Sequence, residues 1–469
     1  MSEATTTADL GLWATVRSAL SGAERDYTTG PVGQAVILLA IPMVLEMALE
    51  SVFAVTDIFF VSRLGAAAVA TVGLTESLLA IVYALAMGLG IGVTAIVSRR
   101  IGEKNPDGAA HAAAQGLLLG VLVAAVLGAT GATFAPQLLT LMGASPEVLR
   151  VGTSFARIML GGEVTVILLF LLNAGFRGAG DPAIAMRVLW ISNAINIVLG
   201  PLLIFGVGPF PELGVTGAAI GTTIGRGVGA LLAFRAMITP GHRLYLRARH
   251  FAFDAKVMGT MLRLASSATL QFLIGTASWI GLVRIIAGFG SVALAGYTIA
   301  IRLVIFAILP SWGLSNATAT IVGQGLGAGK PERAEAGVWT ACRYNFVFLG
   351  VLGICFVGAA PQLVSVFGRD AAVTAVAAKG LRIIAIGFPL YAFGMVLTQA
   401  LNGAGDTWTP TWLNLAVFWC LEIPLAWVLS HGLGLGPDGA FWSVAIAFSV
   451  LAGAAALVFR RGRWKSRVV

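Results

Sequence analysis

AIVSRRIGEKNPDGA (residues 95–109) returns further along the chain as TIVGQGLGAGKPERA (320–334), with Ile96 answered by Ile321, Gly102 by Gly327 and Pro106 by Pro331. The offset is 225 residues at each pair (96 to 321, 106 to 331), and the same offset carries RGAGD (177–181) onto NGAGD (402–406) and RLGAAAVA (63–70) onto GFGSVALA (288–295). A constant offset over such a length marks a duplicated unit. Towards the end of each copy the register drifts, so that ELGVTGAA (212–219) meets GLGPDGAF (434–441) at an offset of 222.

Both copies are apolar almost throughout. Of the 469 residues 58% are hydrophobic and 11% charged, against about a quarter charged in a soluble domain. Runs of about 20 or more apolar residues are long enough to cross about 30 Å of hydrocarbon as helices. The alternating pattern of a barrel strand is missing, and a helix satisfies its own backbone in lipid. The runs predict twelve spans, at 34–62, 66–97, 109–142, 147–175, 182–207, 214–239, 256–287, 291–324, 334–367, 371–400, 407–431 and 436–460.

The expected fold is therefore an all-α integral membrane protein of twelve transmembrane helices, in two parallel six-helix repeats around a central cavity. The expected divisions are a polar segment at 1–33, a first lobe at 34–239, a bridge at 240–255, a second lobe at 256–460 and a basic tail at 461–469. The first apolar run is far longer than a signal-peptide core, so no cleaved leader is expected. Leu10, Trp13, Val16 and Leu20 recur at helical spacing in 9–20, either as a surface-lying helix or as a disordered lead-in.

The net charge of +9 does not point to nucleic acid, because the basic residues collect in the loops on one side. Arg99, Arg100 and Lys104, then Arg243, Arg247 and Arg249, then Lys330 and Arg333, and finally Arg460, Arg461, Arg463, Lys465 and Arg467 all fall there, whereas the opposite loops hold little beyond Arg63, Arg150 and Arg369. The positive-inside rule makes the basic side cytoplasmic, with both termini inside. Cys342, Cys355 and Cys420 are isolated, which predicts neither a disulfide framework nor a metal site.

Two motifs mislead. GQGLGAGKP (323–331) lacks the first glycine of a phosphate loop, which falls on Gln324, and Lys330 is followed by Pro331. No ATP site is expected, and an ion gradient is the driving force. The GAGD turns (178–181 and 403–406) match the Gly-x-Gly-Asp of intramembrane aspartyl proteases, yet Asp181 precedes Pro182 and Asp406 precedes TWTP. They read as helix ends whose aspartates cap the next span, and the enzyme reading is set aside.

LEMALESVFAVTDIFF (45–60) carries Glu46, Glu50 and Asp57 inside the first span. At 100° per residue Glu50 lies about 40° and Asp57 about 20° from Glu46, over roughly 16 Å of helix. One face thus holds all three, and such a face turns into the bundle or a wet cavity rather than to lipid. Two uses are open for Glu46 and Glu50: a structural one, such as an ion pair with Arg63 or Arg187, and cation or proton coupling. Asp57 is the stronger coupling candidate. Glu76 and Glu163 are further acids in apolar spans of the first copy; Glu422 in WCLEIPLAW is the deep carboxylate of the second. The counterparts of Glu50 and Asp57 at the 225 offset are Gly275 and Leu282, so the ionisable chemistry is weighted to the first copy.

IPMVLEMALESVFAVTDIFFVSRLGAAAVATVGL, GIGVTAIVSRRIGEKN, LLNAGFRGAGDP and NAINIVLGPLLIFGVG together resemble the multidrug and toxic compound extrusion (MATE) transporters, on the DinF-like side, over essentially the whole chain. The resemblance implies export of amphipathic, often cationic drugs or metabolites by alternating access, in exchange for H⁺ or Na⁺. It carries the first-helix coupling aspartate onto Asp57, and polar neighbours onto Asn173, Asn196 and Thr222. Glu163 and Glu422 join these as candidate cavity-lining groups.

The chain departs from the family at NIVLGP, where DinF-like relatives often have NIVLDP: Gly200 stands in place of a second aspartate. Glu50, Glu46 or Glu422 are the candidates to replace it. The acids that NorM-like relatives place in spans seven and ten are missing from LASSATLQFLIGTASWIGLV and RIIAIGFPLYAFGMVLTQ, which favours H⁺ over Na⁺.

The expectation is a proton-coupled exporter, and not an enzyme, of the bacterial inner membrane. It is expected to be a monomer in lipid, without cofactor or nucleic-acid partner. Its rivals are a Na⁺-coupled exporter, a flippase for lipid-linked oligosaccharides, which would use Arg187, Arg226, Arg284 and Arg302 to hold phosphate, an intramembrane hydrolase, and a non-transporting scaffold.

Overall fold

The computed structural model describes residues 11–22, 26–367 and 370–467; Leu10 and Arg369 lie outside the described residues. Each of the twelve apolar runs is helical, as eleven membrane-length helices and one bent pair. In chain order the spans are α2 (Val32–Ser62), α3 (Ala66–Gly102), α4 (Pro106–Thr133) with the short α5 (Ala135–Leu141), α6 (Pro146–Gly161) with α7 (Glu163–Ala179), α8 (Pro182–Phe205) and α9 (Val215–Met237). The second copy follows with α10 (Ala255–Ala287), α11 (Ser291–Gly327), α12 (Pro331–Ser365), the bent pair α13 (Ala371–Ile386) and α14 (Phe388–Gly403), then Trp408–Gly432 and Pro437–Arg460. Prolines at the first turns and side-chain caps set the starts. Asn105 accepts from the Gly108 N–H ahead of α4, Ser145 from that of Val148 ahead of α6, and Asp370 from those of Ala372 and Val373 ahead of α13.

The chain divides into two compact units: Met1–Val16, Asp26–Val44 and Leu270–Val469 form one, and Arg17–Arg25 and Leu45–Thr269 the other. We refer to them as the carboxyl-terminal and amino-terminal units. The first long helix of each copy begins in one unit and ends in the other, and the two crossing points, before Leu45 and before Leu270, are again 225 residues apart. Each unit has its own apolar core. Leu79, Leu139, Phe155 and Ile204 belong to one, and Leu282, Leu349, Phe388 and Phe441 to the other.

The duplication reaches the backbone. Gly65 (φ 96°, ψ 177°) precedes α3 and Gly290 (φ 97°, ψ 174°) precedes α11, in a region that side chains bearing a Cβ rarely enter. The spans at 146–179 and 371–403 both break at a glycine, Gly162 and Gly387, at the common offset, and the second break bends by 57°. The glycines of the GAGD turns serve close packing. A Cβ at Gly178 would lie 3.1 Å from the Thr94 carbonyl oxygen, and one at Gly403 would lie 2.4 Å from Ala319. These are the same contact in both copies.

The aspartates that follow behave differently from the expected caps. Asp181 occupies the N-cap position of α8 without a side-chain cap bond, and Asp406 accepts from Thr409 Oγ1 (2.8 Å) and Arg467 (3.2 Å). Pro182 is not the reason, since Asn105 and Ser145 cap helices that also begin with a proline.

At the amino terminus, α1 (Leu12–Ser21) buries Thr15 and Ala19 and turns Trp13 outward. The bridge between the copies folds back onto α4. Gln115 Nε2 donates to the carbonyls of His250 (2.9 Å) and Ala252 (2.8 Å), His111 meets Asp254, and Asp107 meets both Arg249 and His250. Asp254 caps α10; the Val257 N–H, and then the His111 side chain, hold its carboxyl below the usual carboxylate range.

Candidate functional site

The part of α2 from Leu45 onward lies in the amino-terminal unit and carries all three acids. Glu46 is buried and accepts a 2.7 Å hydrogen bond from Arg177 Nη1, an ion pair whose side chains are 3% and 15% exposed. The partner is thus Arg177 of the RGAGD turn, not Arg63 or Arg187. Arg63 stacks over Phe59, and Arg187 donates to the Leu20 carbonyl (2.6 Å). The second carboxylate oxygen of Glu46 has no partner among the described residues.

One turn on, Glu50 accepts from Asn193 Nδ2 (3.1 Å) and lies 4.0 Å from Arg226. Arg226 in turn donates to the Tyr83 hydroxyl (2.7 Å) and has its guanidinium 5.5 Å from the centre of that ring. It also faces Glu163, whose two carboxylate oxygens are buried without a hydrogen bond among the described residues. Asp57 is half-buried, within electrostatic reach of Arg226 and Glu76. Glu46 is thus paired with Arg177, whereas Glu50, Asp57 and Glu163 all face Arg226.

The polar residues near them form a separate pair. Asn196 Nδ2 donates to Thr222 Oγ1 (2.8 Å), while Asn173 is buried with its carbonyl oxygen unpaired. No hydrogen bond joins Asp57 to Asn173, Asn196 or Thr222 among the described residues. A Cβ at Gly200 would meet nothing within 4 Å except Asn196 Oδ1, at 3.7 Å. The place of the missing aspartate is open.

Glu422 stands alone in the carboxyl-terminal unit. It is 2% exposed and closes a π-helical stretch, Leu415–Glu422. Pro424, two residues on, has no N–H to return to the preceding turn and crowds it, which favours such wide turns. Glu422 lines a cavity of about 250 Å³ together with Trp279, Trp312 and Tyr391.

Sequence reasoning missed Arg177 and Arg226 as counter-ions. The signal was there: each is a lone arginine among small residues within an apolar span, where a charge calls for a partner. The arginines invoked for a phosphate-holding flippase are in part committed elsewhere, Arg226 to acids and Arg187 to a backbone carbonyl.

The MatE family model matches the chain twice, at residues 42–202 and 268–428, once on each copy. The chain belongs to the MatE family. It is a multi-pass membrane transporter and not an enzyme. Similar proteins include the probable multidrug resistance protein YoeA of Bacillus subtilis (27% identical, 88% of this chain and 90% of that protein) and an FAD transporter of Shewanella oneidensis (28% identical, 85% and 88%). Among solved structures, an outward-facing multidrug resistance MATE transporter of the MOP superfamily matches 94% of this chain and 98% of its own, with 25% identity and a TM-score of 0.88.

Proposed function

We propose that this MATE protein is a secondary active exporter of amphipathic, often cationic small molecules that exchanges them for protons by alternating access, with Asp57 and Glu50 as the coupling acids. The observation that carries the reading is Arg226, one guanidinium set 4.0 Å from Glu50 and within reach of Asp57 and Glu163. Three carboxyls face this one arginine in an apolar bundle, so the site holds more acids than cations. Protons fill the deficit in one conformation, and rearrangement around Arg226 releases them in the other. The substrate drives this change only by binding the two conformations unequally.

Glu46 has a different role, because Arg177 already neutralises it and ties α2 to α7. Asn173, Asn196, Thr222 and Glu163 line the polar part of the same unit, and Glu50 takes the place of the aspartate that Gly200 lacks. The absence of acids from the sequence of α10 between Leu264 and Val283 and from α13 and α14 supports H⁺ over Na⁺. The basic loops support a bacterial inner-membrane location with both termini in the cytoplasm, for a monomer in contact with lipid.

The test is transport by purified protein in sodium-free proteoliposomes under an imposed pH gradient. A cationic dye such as ethidium collapses the gradient with the native protein and fails to do so with Asp57→Asn. Collapse that survives Asp57→Asn, or that requires sodium, overturns the reading.

A further inference from the structure

Both copies are stapled on the side that carries the basic loops. Asp107 in the first turn of α4 and Glu332 in the first turn of α12 are counterparts at the 225-residue offset. Each meets bases from the segment that follows the sixth span of its own copy. Asp107 takes Arg249 and His250 (2.9 Å) from the bridge; Glu332 takes Lys465 (3.9 Å) from the tail, which also holds Glu335 (2.6 Å). Arg467 on Asp406 completes the grip of the tail, and lysine and arginine keep their charge through the physiological range. The bridge brings histidines to its staple instead.

The two histidines there make opposite demands. His250 Nδ1 accepts from the Arg247 N–H (3.1 Å), and its Nε2 lies 2.9 Å from Asp107 Oδ1, closer than the 3.4 Å to Arg249 Nε. One lone pair and one proton satisfy this ring, so it fits as neutral imidazole. His111, the sixth residue of α4, faces two acceptors. Its Nδ1 lies 3.1 Å from the His250 carbonyl oxygen and its Nε2 3.2 Å from Asp254 Oδ2. The carbonyl cannot donate, and neither can the Asp254 carboxyl, which the Val257 N–H and then His111 hold below the usual carboxylate range. Only the imidazolium, with a proton on each nitrogen, makes both bonds; a neutral ring turns a lone pair towards one of the two oxygens.

We propose that His111 is a pH latch for the bridge: its imidazolium ties the approach to α10 onto α4, and loss of one proton frees one of the two attachments. The latch is closed at acidic pH and opens as pH rises through the range in which histidine loses its charge. Around the ring stand Asp107 on its own helix, Arg249 and His250 on the bridge and Asp254 ahead of α10, while Arg100 at the end of α3 is taken by Glu103 (2.8 Å). Of these, His250 also titrates in that range, and its bonds ask for no second proton. Gln115 donates to the carbonyls of His250 and Ala252 and accepts from the Asp254 N–H (3.1 Å), bonds that do not depend on pH. The latch therefore loosens the bridge without detaching it. What it loosens is the start of α10, the helix that begins in one unit and ends in the other.

The test reads the mobility of the bridge. A nitroxide is attached at Phe253→Cys, a position 76% exposed, in the full-length protein with Cys342, Cys355 and Cys420 replaced by alanine. Its spectrum is recorded in detergent from about pH 5.5 to about pH 8.5. With His111 in place the mobile fraction is expected to rise about threefold or more across that range. His111→Gln is expected to be mobile throughout, and His111→Lys, which stays charged, immobile throughout. The lysine variant also keeps the test open if His111→Gln fails to fold. A spectrum that does not change with pH when His111 is present overturns the proposal, as does a pH dependence that survives in His111→Gln. A His111→Lys spectrum that mobilises with pH in the same way overturns it too, by placing the titrating group elsewhere.

Discussion

In the amino-terminal unit Arg177 holds Glu46 in a buried ion pair; at the same two positions of the second copy, 225 residues on, Asn402 donates to Gln271 in a neutral amide pair of 3.2 Å. The same holds one helix away, where Arg226 among its acids gives way to Phe448 beside an unpaired Glu422. The backbones entering the helices of Arg226 and Phe448 are nearly identical, as the dihedrals of Gly214 and Gly436 attest. Duplication thus preserved the frame and let the interior charge diverge.

Removing one charge from the ion pair is the sharpest way to break this comparison. Arg177→Asn leaves Glu46 buried and uncompensated and is expected to lower stability by about 3–5 kcal/mol. The double change Arg177→Asn with Glu46→Gln, which writes the amide pair of the second copy into the first, is expected to recover most of that loss. Thermal unfolding in mixed micelles measures both. Equal losses in the single and double variants would show that the two pairs are not interchangeable.

The GAGD glycines give the next largest effect. Gly403→Ala forces a Cβ onto the backbone of Ala319, at 2.4 Å, and is expected to cost about 1–3 kcal/mol, as overpacking does. Gly178→Ala, at 3.1 Å from the Thr94 carbonyl oxygen, has more room and is expected to cost less in the same assay. The reverse order would mean that the second contact relaxes more easily than the first.

Gly200→Asp should meet the smallest steric cost of the three, because a Cβ there meets only Asn196 Oδ1, at 3.7 Å. Its effect is on coupling, since the amino-terminal unit then holds one more acid. More protons released per substrate bound than in the native protein would fit this account; an unchanged count would place position 200 outside the coupling network.

The spans and the duplication were legible in the sequence because hydrophobic runs and a constant offset do not depend on tertiary contacts. The breaks at Gly162 and Gly387 were not, although Glu163 follows the first and Pro389 the second, because the apolar runs on either side are together only long enough for one span. Nor was the partner of Glu46. Periodicity places an acid on a helix face but does not say which neighbouring helix that face meets, and Arg63 and Arg187 were as plausible in sequence as Arg177. The aspartates of the GAGD turns looked like caps by position, yet Asp181 makes no side-chain cap bond and Asp406 accepts from Thr409 and Arg467. Among the candidate site residues, Glu50, Glu163 and Asp57 are gathered around Arg226, an arrangement drawn from three helices that no local motif records.

The most direct measurement of the central claim is proton release on substrate binding, followed with a pH dye in weakly buffered detergent solution, for the native protein and Asp57→Asn. If coupling resides in the acids around Arg226, ethidium releases protons from the native protein and none, or clearly fewer, from the variant while still binding to both. Equal release from both would contradict the account and move the exchanging acid away from Asp57.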